Sequence, residues 1–401
     1  MAVASAPVPE PTSFRWDRLT VTCALSFCLL VSGLSVGAVL GELRDELGLS
    51  GVVAAAHGST FGLGLVVMGL FGLRLVARVG RPAAFWGTCV MIVVGVAVLC
   101  AGHSWPVTLG GTAVAGTACA MLVLLMPGIV ADHHGPARVG AFAAINGVPG
   151  LAGVSYSLVV GASLAAGLSW RWPYLALTLF IAGLLAAVGV RAAIPTSAPS
   201  PVSALALVRR SATRRPFLDA VHAVLAEFPL GVWSVTFLKE VGGSSSGGAA
   251  ALGAVWGLCL MVARLLLPRY VALTGAWARS IGFAAVTLGT VVMWLGPSLA
   301  VRIAGLVIVA FGCSPLYPLA VDRLYARVDA DSVALGAVTA LASGVAIISG
   351  PLLLGVLADA IGLRDAVLAV TALAALGVYT SRPERAGPEG TDEPVGVASH
   401  R

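Results

Sequence analysis

Residues 58–80 read GSTFGLGLVVMGLFGLRLVARVG, and residues 253–275 read GAVWGLCLMVARLLLPRYVALTG. Laid over one another at an offset of 195, ten of the 23 positions are identical, among them Gly58 with Gly253, Gly62 with Gly257, Arg74 with Arg269 and Gly80 with Gly275. Composition alone makes two apolar stretches similar, but it does not place an arginine and a closing glycine at matching points. The chain therefore contains an internal repeat. The match extends outward in both directions. At the same offset Leu43-Arg44-Asp45 faces Leu238-Lys239-Glu240, and Gly48 faces Gly243. Farther on, the run from Pro127 to Asp132 parallels that from Pro318 to Asp322, and Gly150 and Gly161 correspond to Gly344 and Gly355.

The chain around the repeat is equally apolar: of 401 residues 58% are hydrophobic and only 10% charged, with a mean hydropathy of +0.97. That mix places most of the chain in lipid. Long runs without alternation predict helices rather than a barrel, each needing about 20 apolar residues to cross a bilayer core. Gly, Pro and charge punctuation predicts spans at 19–41, 51–73, 83–101, 107–131, 139–165 and 172–190, then at 217–238, 249–267, 280–296, 300–321, 332–357 and 366–381. The expected fold is thus an all-α integral membrane protein of twelve transmembrane helices in two parallel six-helix repeats. Its expected parts are a disordered cytoplasmic tail at 1–18, halves at 19–190 and 217–381, a cytoplasmic linker at 191–216 and a second disordered tail at 382–401. Met1 to Ser13 shows no basic leader, so the first apolar run is expected to be retained.

With the N-terminus inside, cytoplasmic segments and their helix ends hold 19 of the 24 Lys and Arg residues; Arg44, Arg171, Lys239, Arg302 and Arg364 lie outside. Basic residues accumulate on the cytoplasmic side of short loops, so both termini are expected there, in the cytoplasmic (inner) membrane. The net charge of +6 is spread between helices, which speaks for topology and against nucleic acid as a partner. Lipid headgroups account for the five linker arginines. The seven cysteines lie in or beside apolar runs without a CxxC pair, and no disulfide framework or metal site is expected.

Two parallel six-helix repeats joined by a basic loop resemble the major facilitator superfamily, from about Arg15 to Ser381. The resemblance implies a solute site near the midplane between two halves that rock about it. The loop from Leu75 to Arg81 is similar to the family's GxxxDRxGR turn, with the acid replaced at Ala77 and the first glycine at Leu73. Gly80 permits the turn, and Arg74, Arg78 and Arg81, with Arg269 and Arg279 in the second half, are candidates for gating pairs with Asp132 and Asp322. The alternative is that these arginines only anchor the chain in the headgroups. Gly167 to Tyr174 resembles the family's external GWRWPF segment, and Gly350-Pro351, Gly355, Asp359, Gly362 and Arg364 resemble its helix 11 pattern. Glycines at 33, 37 and 41 read as close helix packing, with self-association as the alternative.

Glu227 is the only carboxylate near the centre of a predicted span. A charge there costs at least ~2.5–3.5 kcal/mol on insertion scales, so it must face a cavity or a partner. Desolvation disfavours its charged form, which suits a group that binds and releases protons near neutral pH. Its repeat mate is Ser32, and the run Glu227-Phe-Pro-Leu-Gly-Val-Trp233-Ser234 resembles helix 7 of sugar- and fucose-permease-like members. A buried structural hydrogen bond is the competing reading. Other candidates to line the pathway are His57, Asn146 and Tyr317, while Arg302 is placed to attract an anion or close an outer gate. The basic residue that the family's proton-driven drug antiporters carry in the fourth span falls here at Thr112.

The expectation is a monomeric secondary transporter, moving a small organic solute by alternating access with a proton gradient and no cofactor. Drug or natural-product efflux by antiport and uncoupled facilitation stay open, as do import and export. An intramembrane enzyme would show HExxH, GxSxG or a nucleotide-binding motif, and none is present. A sensor would need an output domain.

Overall fold

The computed structural model describes residues 15–196, 204–328 and 332–382. Residues 1–14 and 383–401 of the expected tails, and 197–203 of the linker, lie outside the described residues. Twelve helices are long and apolar enough to cross a bilayer: α1 (Arg18–Ala38), α2 (Gly51–Val79), α3 (Arg81–Ala101), α4 (Trp105–His134), α5 (Ala144–Ala165), α6 (Arg171–Gly189), α7 (Ser211–Glu240), α8 (Ser246–Leu265), α9 (Arg269–Leu295), α10 (Leu299–Arg327), α11 (Leu335–Ile361) and α12 (Leu363–Thr380). No strand occurs among the described residues, as expected where hydrocarbon offers the backbone no hydrogen bonds. Twelve crossings return the chain to its starting side, here called the termini face; the opposite side is the far face.

The repeat is visible in helix ends as well as helices. Ser50 and Ser245, repeat mates, each cap a helix by accepting a backbone N–H three residues on. Gly80 and Gly275 both close a helix with positive φ, 81° and 53°, which an L side chain resists. Several spans differ from their expected limits. The first does not run to 41: the α-helix stops at Leu34, tightens into a 3₁₀ turn at Ser35–Ala38 and resumes as a separate helix, Leu40–Leu47. Its continuous apolar pattern hid a break that is set by packing, because Gly37 is pressed against α7. A Cβ on Gly37 would lie 3.0 Å from the Val232 carbonyl oxygen. Helix α7 begins at Ser211, inside the segment expected to be linker. A short helix, Ala204–Val208, also sits there and buries Leu207 against Leu324, Val328, Leu335 and Val338.

The two halves meet where α2 crosses α11 and α5 crosses α8. At both crossings the repeat-mated glycines sit in contact with backbone: a Cβ on Gly355 would lie 2.6 Å from the Gly51 carbonyl oxygen, and one on Gly161 would lie 2.7 Å from the Ala251 nitrogen. Gly41 likewise rests on Thr236 of α7, and Gly33 on Cys119 of α4. The small residues of α1 are thus used for packing within the chain.

Candidate functional site

Helices α7, α8, α10 and α11 bring polar side chains together within the C-terminal half. Arg264 Nη2 donates to Glu227 Oε1 at 3.0 Å, with the carboxylate side chain 18% exposed and the arginine 52%. Trp256, Leu260 and Arg264 recur at four-residue spacing on the face of α8 that meets α7, and the Trp256 indole nitrogen lies 3.3 Å from where a Cβ on Gly231 would stand. From α10 the Cys313 thiol donates to the Ala226 carbonyl at 3.5 Å. One turn further, the Tyr317 hydroxyl accepts from Ser343 of α11 at 3.2 Å. Ser234 turns back to its own helix, donating to the Gly231 carbonyl at 3.4 Å. Trp233 is buried, and its indole N–H reaches the Pro351 carbonyl at 3.3 Å. It supports the α7–α11 contact from behind rather than lining the pair.

Arg264 is a site residue that the sequence reading missed, because it was grouped with the arginines of the termini face. It stands in the last turn of α8, eleven residues before Gly275, with a separate short helix, Leu267–Thr274, between them. The repeat held the signal: Arg264 aligns with Gly69, well inside α2.

The remaining candidates lie elsewhere. His57 is buried, with Nδ1 2.8 Å from the Val53 carbonyl and Nε2 2.9 Å from the Thr108 hydroxyl. Both ring nitrogens are engaged within the N-terminal half, which makes it a packing histidine that joins α2 to α4. Asn146 is exposed near the start of α5. Arg302 donates to the carbonyls of Val241 and, at 2.9 Å, Gly296. It closes the far-face ends of α7 and α9, where helical carbonyls lack partners.

The far face is closed by charge. Arg44 pairs with Glu240 at 2.9 Å, and Lys239 pairs with Asp45 at 2.7 Å and with Glu42. Since Arg44 and Lys239 are repeat mates, and so are Asp45 and Glu240, the Arg44–Glu240 and Lys239–Asp45 bridges are two copies of one contact related by the pseudo-twofold axis. Asp359 of α11 adds a cap across the halves, accepting the backbone N–H groups of Gly51 at 2.6 Å and Val52 at 3.0 Å at the start of α2. A carboxylate at a helix N-terminus is favoured by the helix dipole.

On the termini face the ion pairs described each lie within one half. Arg81 pairs with Asp132 at 2.5 Å. Asp17 joins α1 to the end of α4 by pairing with His133; burial raises its carboxyl, but the Thr20 backbone N–H and the His133 and Thr20 side chains outweigh that and hold it at about 2. Arg279, expected with Arg269 as a partner for Asp322, instead donates to Asp219 at 2.9 Å, with Arg323 at 3.7 Å from the same oxygen. The α9 start faces α7, which places Asp219 and not Asp322 in its reach. Asp322 and Arg269 are exposed, as are Arg78 and Arg74, the latter 5.9 Å from the Phe71 ring centroid.

The Major Facilitator Superfamily model matches residues 21–351. Among solved structures, a variant of the nucleoside transporter NupG superposes with a TM-score of 0.73 at 16% identity, over 91% of this chain and 98% of that one. A bacterial homologue of the human lysosomal transporter Spinster, inward-facing and occupied, gives 0.73 at 15% identity over 90% and 96%. A D-xylose-proton symporter gives 0.68 at 14% identity over 92% and 98%. At these identities the likeness is one of fold. No curated protein matches.

Proposed function

The chain belongs to the major facilitator superfamily, and on that footing we propose that it carries a small organic solute across the cytoplasmic membrane by alternating access, coupled to protons through Glu227. The observation that carries this reading is Glu227, midway along α7 and paired with Arg264 of the last turn of α8, in a scaffold where the reciprocal bridges between the halves are repeated. The mates of Glu227 and Arg264 are Ser32 and Gly69. Unlike the reciprocal far-face bridges this pair is not repeated, and a carboxylate midway along a span is retained against its insertion cost. Related folds include a nucleoside transporter and a D-xylose-proton symporter, so small polar solutes are within the range of the architecture. The excess of basic residues on the termini face supports a cytosolic position for it, and in that orientation the ion pairs of the far face hold the outer side closed.

The test is transport by the purified protein in liposomes, with a sugar, a nucleoside, an organic acid and a hydrophobic drug offered in turn under an imposed proton gradient. Wild type is expected to accumulate a solute and to move protons with it. Glu227→Gln is expected to abolish accumulation and keep downhill exchange. Accumulation by the Gln variant with the wild-type pH dependence overturns the coupling role.

A further inference from the structure

We propose that the solute is an organic anion and that Arg264 is its receptor, taken over from Glu227 when the solute binds. The inference rests on the transport reading above and names the chemistry that the site selects. Arg264 presents a guanidinium with five N–H donors, and the one hydrogen bond described for it among the protein groups is Nη2 to Glu227 Oε1. Its side chain is half exposed while that of Glu227 is largely enclosed. The arginine therefore keeps donors free on its exposed side, in a geometry that suits bidentate binding of a carboxylate.

The decision between anion and cation comes from what each would leave behind. A cation that captured Glu227 would leave Arg264, which cannot lose its proton in a protein, as a net positive charge at the site, balanced only on its exposed side. An anion that captured Arg264 would strand Glu227, which can take up a proton and become neutral. Only the anion leaves the site without an uncompensated charge. The exchange balances: one acid anion replaces one carboxylate on the guanidinium, one proton enters Glu227, and the site stays neutral overall. Proton coupling and anion selectivity then have one origin.

The surroundings do not supply a rival for the proton. On α10, Tyr317 and Cys313 lie within electrostatic reach of Glu227 and Arg264, and both are engaged, with Ser343 and the Ala226 carbonyl. Helix α11 presents Gly350 and Pro351 to α7. His222, on α7 itself, is held by the Leu373 carbonyl of α12. The Trp256 indole beside Gly231 offers an aromatic wall for the rest of the solute.

Calorimetry on the purified full-length protein tests this without requiring transport. Acetate, lactate, benzoate and succinate are titrated beside their neutral amides, in two buffers of different protonation enthalpy, so that protons taken up per ligand are counted. At least one acid should bind wild type with about one proton taken up, and its amide should not bind. Glu227→Gln should keep the anion and lose the proton uptake. Arg264→Gln should lose affinity about 30-fold or more, the low end for a lost charged partner. Should Arg264→Gln fold poorly, the Glu227→Gln proton count still decides. Four silent acids, amides binding as well as acids, or anion binding unchanged in Arg264→Gln each overturn the inference. If sugars or nucleosides evoke proton movement in liposomes and anions do not, transport stands and only the anion assignment falls.

Discussion

Arg279 is 2% exposed and donates to Asp219 with one nitrogen, while its Nε and Nη2 are buried without a hydrogen-bond partner. Arg323 stands behind at 3.7 Å from the same carboxylate, so one acid balances two guanidinium groups where α7, α9 and α10 meet. Breaking a buried pair by removing one partner costs about 3–5 kcal/mol, because the other charge is left uncompensated. Asp219→Asn is therefore expected to lower unfolding stability in detergent by about 3 kcal/mol, and Asp219→Asn with Arg279→Met to recover most of it. A single variant as stable as wild type would show the cluster to be hydrated and dispensable. Neither this cluster nor Arg264 was legible from residue type. Asp219 sits at the start of a predicted span, where an acid reads as a headgroup residue, and its partners come from helices 60 and more positions away. Glu227 stood out because no other carboxylate lies at mid-span, but its partner was masked by the habit of arginines to collect at helix ends.

Among the elements, α2 and α11 show most plainly what patterning conveys and what it omits. Their existence follows from apolar runs, and the mating of α2 with α8 from turn glycines such as Gly80 and Gly275. Their crossing does not, because it depends on backbone approach: at Gly62 a Cβ would lie 2.6 Å from the Ile348 nitrogen, while its repeat mate Gly257 has nothing within 4 Å. The same holds for the break after Leu34, which no proline or charge announces and which frees the helix Leu40–Leu47 to carry Arg44 to the far face. Overpacking costs typically ~1–3 kcal/mol. Under the proposed alternating access the halves separate at this crossing, so Gly355→Val should place that cost on the far-closed state more than on the fold. Amide exchange at residues 51–58 should rise while the unfolding midpoint of each half changes little, and Gly257→Ala should leave both untouched. A large loss of folded protein with unchanged exchange in what remains would place the crossing in the folding core instead.

For the whole molecule, the distribution of ties sets the balance between states. On the far face the halves are joined by Arg44–Glu240, Arg44–Asp359, Lys239–Asp45, Lys239–Glu42 and the Asp359 cap on α2; on the termini face the pairs described stay within a half. Partly exposed pairs contribute about 0.2–1 kcal/mol each, and a helix-terminal carboxylate about 0.3–1 kcal/mol. Four such pairs and one cap acting together bias the equilibrium by roughly 1–5 kcal/mol, enough to select the far-closed state. The pseudo-twofold relation adds a sharper expectation. Arg44 and Lys239 hold equivalent places and share no acid, so Arg44→Glu and Lys239→Glu should raise exchange at residues 51–58 and 353–361 by similar factors. The double variant should show nearly the product of the two, as independent contacts do. Because each copy is a charge pair and not a shape, Arg44→Glu with Glu240→Arg should restore protection that Arg44→Glu alone removes. Unchanged exchange in the Arg44→Glu/Lys239→Glu double variant would mean that glycine packing alone closes the far face and that the charges merely accompany it.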